Sequence, residues 1–175
     1  MNYITPLFFG CISAFIGIIP PGLINMTAAK VNHKEGRRNA LWFVFGALII
    51  ICVQVFFSIL FAKIINRRPD LVTLLREIGF CIFTALTIYF LWIAKTPKSK
   101  PKKLKKNSKT KRFFLGMLLS ALNFFPIPYY VFVSISLASY HLFSFDKTSI
   151  FIFVSGVLLG SFLVFSFYIS FFNKI

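Results

Sequence analysis

Apolar residues run along this chain in long blocks, and polar residues are confined to the gaps between them. The blocks cover roughly 4–29, 40–62, 74–94, 113–139 and 149–172. Each runs to 20 residues or more, the length that a helix needs to cross roughly 30 Å of hydrocarbon. The pattern therefore predicts an all-α integral membrane protein, a polytopic bundle of five spans. A soluble globule of 175 residues, 58% of them apolar, could not keep so much apolar surface from water.

Two of the blocks are interrupted. The first contains FIGIIPPGLINMTAAK, with Pro20, Pro21 and Gly22 in succession, and the fourth contains SALNFFPIPYY, with Pro126 and Pro128. Proline in a helix interior removes a backbone hydrogen bond and clashes with the preceding turn. In lipid the carbonyls so freed must find partners or line a polar cavity.

The interruptions correspond. A shift of 106 carries Phe8 onto Phe114, Gly10 onto Gly116, Pro20 onto Pro126 and Gly22 onto Pro128. In the following spans a shift of 110 carries FVFGALII at 43–50 onto FVSGVLLG at 153–160, and Gly46 onto Gly156. This order predicts an internal repeat within one transmembrane domain, 1–175, with a first half at 1–94 and a second at 113–175. A half of three spans inserts upside down relative to its partner, so the expectation is two inverted-topology three-helix halves with Pro-broken first and fourth helices. The second half holds only two spans; a sixth is expected near 184–204, beyond Ile175. The expectation is a truncated chain, with a naturally five-span protein as the alternative.

Charge sets the orientation. Lys and Arg number 20 against four acidic residues. Ten of the cations lie in 95–112, KTPKSKPKKLKKNSKTKR, which has no acid and reads as a basic linker between the halves. With five spans, the first loop, this linker and the C-terminus share a side that holds fifteen cations, and five lie elsewhere. Cationic loops stay in the cytoplasm, so the N-terminus is expected outside and the 95–112 loop inside. The linker lacks aromatic residues for base stacking, so anionic lipid, not nucleic acid, is its expected partner. The first block is not expected to be a cleaved signal peptide, because the first cation of the chain is Lys30, just after that block.

Paired half-helix breaks at matching places of two halves are the sequence pointer to a transporter site near the bilayer midplane. The half-helix after each break is expected to present free N–H groups and a positive dipole end, which suits a carboxylate. The candidate substrate-binding residues are Pro20, Pro21, Gly22, Asn25, Thr27, Asn123, Pro126, Pro128 and Tyr129, with a small amino acid-like solute as the partner. Tyr130 is read equally as a packing aromatic. Gln54 is read as interhelical glue, and Gly156 and Gly160 as a close-packing pair. Cys11, Cys52 and Cys81 match no metal or redox spacing, and His33 and His141 have no ligand-spaced companion, so no metal or cofactor is expected. No span carries a deep carboxylate; Glu77, at the edge of the third, is the nearest candidate for ion coupling. No phosphate-cradling loop and no nucleophile–base set is present, so neither an ATPase nor another enzyme is expected.

The Pro-Pro-Gly break, the passage HKEGRRNALWFVFGA into the second span and GMLLSALNFFPIPYY in the fourth resemble the LysE/RhtB superfamily. The resemblance covers nearly all of the chain. Members usually show Pro-Gly-Pro in the first span and Asn-Pro early in the fourth; here the order is Pro20-Pro21-Gly22, and two phenylalanines separate Asn123 from Pro126. The resemblance implies a bacterial inner-membrane secondary transporter that exports amino acids or related small solutes by alternating access, with a homodimer as a candidate assembly. The alternatives are a five-span assembly subunit without transport of its own and a cation exporter.

Overall fold

A computed structural model describes residues 4–68, 77, 84, 88 and 108–171. Within them the chain is helical, with no strand. The helices are α1 (Ile4–Ile18), α2 (Leu23–Glu35), α3 (Arg37–Asn66), α4 (Lys109–Ala121), α5 (Pro126–Ser139) and α6 (Lys147–Phe171). The predicted linker 95–112 and last residues lie outside the description, apart from Ser108 and the start of α4.

Local chemistry sets the ends. Residues that precede proline are driven out of the α region, so α1 stops at Ile18, just before Ile19 and Pro20. Pro126 opens α5 at its first position, where its missing N–H costs nothing. The Ser108 hydroxyl accepts from the Lys111 N–H at the start of α4. Asp146 caps α6, its Oδ2 accepting from the Ser149 N–H at 2.9 Å. Between α2 and α3 stands a single residue, Gly36, at φ +88°, a conformation that a side chain would strain.

Two helices, α3 and α6, are each long and apolar enough to cross a membrane alone. The pairs α1–α2 and α4–α5 are long and apolar enough only when each is taken together, and they are bent by 79° and 62° at their breaks, as a broken span or a re-entrant loop is. The described residues thus contain up to four spans of a multi-pass membrane protein. Phenylalanines 8, 57, 132, 151 and 167 are exposed on the outer surface, as side chains that face lipid can be. Of the predicted third span at 74–94, Glu77, Thr84 and Ile88 are helical and exposed; its other positions, Cys81 among them, lie outside the described residues.

The chain divides into two compact units. One holds Met1–Ala62 with Leu104–Ile175, and the other holds Lys63–Lys103. The second contains the last turn of α3 and the three helical positions just named.

The first unit is built on two backbone-close helix pairs. A Cβ added to Gly10 or Gly156 would fall within 3.0 Å of the Phe153 or Leu7 carbonyl oxygen, which brings α1 and α6 together. A Cβ on Gly46 or Gly116 would meet the Phe113 or Phe43 carbonyl oxygen in the same way, which brings α3 and α4 together. The sequence shifts of 106 and 110 carry Leu7 onto Phe113 and Phe43 onto Phe153. One contact is therefore made twice at positions related by these shifts, once between α1 and α6 and once between α3 and α4. The core around these pairs includes Phe43, Ile59, Phe153, Val157 and Phe165, all nearly inaccessible.

Candidate functional site

The two breaks meet at one cavity of about 560 Å³. Its walls come from the end of α1 and the first break (Ile16, Pro20, Pro21, Gly22), the start of α2 (Leu23, Asn25), the end of α4 (Leu119, Leu122, Asn123) and the start of α5 (Pro126, Tyr129, Tyr130). Its volume falls within the range of about 300–1,000 Å³ typical of small-molecule sites. Among the described lining residues none is charged.

The freed carbonyls of the first break find side-chain donors. The Asn25 Nδ2 donates to the Ile18 carbonyl at 2.5 Å and to the Pro20 carbonyl at 3.0 Å. The Tyr168 hydroxyl, from α6, donates to the Ile19 carbonyl at 2.6 Å. Asn25 is only 4% exposed, so its amide is a structural clasp across the break as well as a wall of the cavity.

The second break is held from the other half. The Gln54 Nε2, from α3, donates to the Ser120 carbonyl at 3.2 Å and to the Asn123 carbonyl at 2.9 Å. The glue reading of Gln54 thus acquires particular partners, the carbonyls that end α4. Under the shift of 110, Tyr168 corresponds to Ser58, one helical turn beyond Gln54. Each break is therefore clasped by one of the two long helices, the first by α6 and the second by α3. Gln54 Oε1 and Ser120 Oγ are buried with no partner among the described residues, so polar capacity remains at the second break.

Tyr129 ties the cavity wall to the first half. Its hydroxyl donates to the Ser13 carbonyl at 2.8 Å, and its ring lies over Gly17, where a Cβ would come to 3.0 Å. Phe125 stacks on it with ring centroids 5.7 Å apart, and the buried Tyr130 meets it edge-on at 5.0 Å.

The helix ends at the cavity differ in sign. α2 begins there, and its first amides, Leu23 to Asn25, have no intrahelical acceptor; Gly22 supplies no side-chain cap. That end is positive. α1 and α4 finish there, and their ends are negative. α5 also begins there, but it departs from the expectation of free amides. Pro126 and Pro128 have no N–H, the Ile127 N–H donates to the Phe124 carbonyl and the Tyr129 N–H to the Phe125 carbonyl. Only the first break offers an amide end.

Of the residues singled out in the sequence, Pro20, Pro21, Gly22, Asn25, Asn123, Pro126 and Tyr129 line this one cavity. Thr27 and Pro128 do not: the Thr27 hydroxyl donates to the Leu23 carbonyl one turn back at 2.6 Å, and Pro128 is exposed. Both sit on helix faces that the bends turn away from the cavity. Tyr168 carried no signal in the sequence, as one aromatic among many in its span.

Sequence reasoning also missed Glu35 and Arg112, which it assigned to a loop and to the basic linker. The Arg112 Nε donates to Glu35 Oε2 at 2.7 Å and its Nη2 donates to Oε1. The side chains are 2% and 1% exposed for Arg112 and Glu35. The Asn39 Nδ2 lies 3.5 Å from the same Oε2.

Compared with known proteins, the chain matches the family model described as LysE type translocator over residues 15–175. No curated protein and no solved structure matches the chain.

Proposed function

The chain belongs to the LysE type translocator family, a membrane transporter family, and from that membership we propose that it is a secondary transporter that exports amino acids or related small solutes by alternating access. The observation that carries the proposal is the single cavity shared by both breaks, with helix ends of opposite sign on its walls. A zwitterion suits that arrangement. Its carboxylate would meet the free amides at the start of α2, and its ammonium the carbonyl ends of α1 and α4. The uncharged lining favours solutes with a neutral side chain, because a lone charge taken out of water finds no counter-charge there. Tyr129 and Asn123 supply polar contacts, and Ile16, Leu119 and Leu122 supply the apolar wall.

The charge asymmetry of the loops supports a cytoplasmic 95–112 loop and an external N-terminus in a bacterial inner membrane. The test is efflux. Cells that express the chain are loaded with a mixture of amino acids, and release is followed against an empty-vector control, with insertion confirmed by membrane fractionation. Release of neutral amino acids above the control is the expected result. Release equal to the control for every amino acid, from inserted protein, overturns the proposal.

A further inference from the structure

We propose that the Glu35–Arg112 ion pair is a latch that closes one end of the transport path and parts in each cycle. The inference rests on the alternating-access reading above. Glu35 is the last residue of α2 and Arg112 stands in the first turn of α4, 77 positions later in the chain. The opposite ends of these two helices line the cavity. At 1.5 Å per residue, the pair lies about 10–18 Å from the cavity along both helices, on one side of it. At 2% and 1% exposure, water does not reach the contact.

Helix stability does not explain these charges. Glu35 sits at the negative end of α2 and Arg112 at the positive end of α4, so each opposes the dipole of its own helix. Permanent adhesion does not explain them either. An apolar pair of similar volume holds a buried contact at least as well as an ion pair, because the charges lose their hydration. An ion pair differs in one respect: when the contact opens, water takes both charges back. That property suits a contact that must be broken and remade.

The surroundings confine movement to this place. The α1–α6 and α3–α4 contacts are backbone to backbone at glycines and cannot slide without clashes. α2 packs chiefly on α6, to which the Asn32 Nδ2 donates a hydrogen bond at the Ile169 carbonyl, 2.7 Å; its contact with α4 is smaller. Immediately after Glu35 comes Gly36, exposed, at φ +88° and with nothing within 4 Å of where a Cβ would be. A hinge of one glycine thus stands beside the latch, between the helix that carries Glu35 and the helix locked to α4.

The test reads access to the cavity. Leu119 lines it, so Leu119→Cys is the reporter, in a chain whose three cysteines are replaced by alanine. Labelling by a membrane-impermeant maleimide is measured per folded chain, in vesicles of both orientations. Glu35→Gln with Arg112→Gln leaves no unpaired buried charge. Unlike an apolar pair, two glutamines are as readily hydrated on opening but lose the charge-assisted hydrogen bonds that hold the contact shut, so this double variant should label about tenfold faster than the parent, from one face only, the face that carries residues 35 and 112. The exchange Glu35→Arg with Arg112→Glu restores the pair and sets each charge at a favourable helix end. It should label more slowly than the parent, and it carries the test alone if the glutamine variant does not fold. Equal rates in parent and exchanged chain, or acceleration from the opposite face, overturns the latch. Ordered labelling, together with no export of any amino acid by the unsubstituted chain, supports the latch and overturns the export reading alone.

Discussion

The Glu35 carboxylate and the Arg112 guanidinium form a two-point ion pair, with Arg112 Nε 2.7 Å from Glu35 Oε2, and neither side chain is more than 2% exposed. A single substitution that removes one member leaves the other charged and buried. Glu35→Ala or Arg112→Ala should therefore lower stability by about 3–5 kcal/mol. Thermal unfolding in detergent checks this, and the double change Glu35→Met with Arg112→Leu should recover most of the loss. Equal damage from the double change would mean that the two side chains are not coupled.

Glycine packing gives a contrast within one residue type. Gly116→Ala and Gly46→Ala each set a Cβ against a backbone carbonyl oxygen of the partner helix, so α3 and α4 must separate. Overpacking of this kind costs about 1–3 kcal/mol. Gly22→Ala meets nothing closer than 3.8 Å. The folded fraction recovered from membranes should fall for the first two variants and hold for the third.

The clasps on the breaks should affect turnover. Gln54→Leu strips the Ser120 and Asn123 carbonyls of their side-chain donor, and Tyr168→Phe does the same to the Ile19 carbonyl. Each lost hydrogen bond is worth about 0.5–1.5 kcal/mol, so both chains should insert and fold. Efflux per folded chain should drop in both, because the ends that shape the cavity are no longer held. Unchanged efflux would limit both residues to packing.

Selectivity should follow the charge of the cavity wall. Asn123→Asp is nearly isosteric and adds a carboxylate to a lining without charged side chains. Competition efflux should shift from neutral toward cationic amino acids, by about tenfold in the ratio, which corresponds to 1.4 kcal/mol. The same shift from Thr27→Asp, off the cavity, would argue against this wall as the selective surface.

Asp146 links stability to acid. Hydrogen bonds from the Ser144 hydroxyl and then the Ser149 amide lower its pKa from 3.8 to about 2. A carboxyl with a depressed folded-state value stabilises above its unfolded value and loses that contribution as pH falls through the folded one. The window is therefore pH 4 to 2, and Asp146→Asn should flatten the fall of the unfolding temperature across it. At neutral pH, Asp146→Ala should cost about 1 kcal/mol through the lost cap of α6.

Sequence by itself determined the class and the outline of the site. Block length marked the spans, because hydrocarbon thickness sets the number of residues per crossing. Proline marked both breaks, because in a helix interior its missing N–H and its ring break the hydrogen-bond ladder. The shifts of 106 and 110 already aligned Gly10 with Gly116 and Gly46 with Gly156, the glycines that lock the helix pairs. Tertiary structure alone decided which side chains meet. In a chain apolar on every face, hydropathy does not separate the lipid side of a helix from its packed side, and a bend resets the phase. Hence Thr27 and Pro128, so close to the breaks, turn away from the cavity, and Tyr168 reaches Ile19 from 149 positions along the chain. Glu35 and Arg112 looked like loop charges for the same reason. Composition reports that a charge exists, and only the packing of α2 against α4 made it a buried pair.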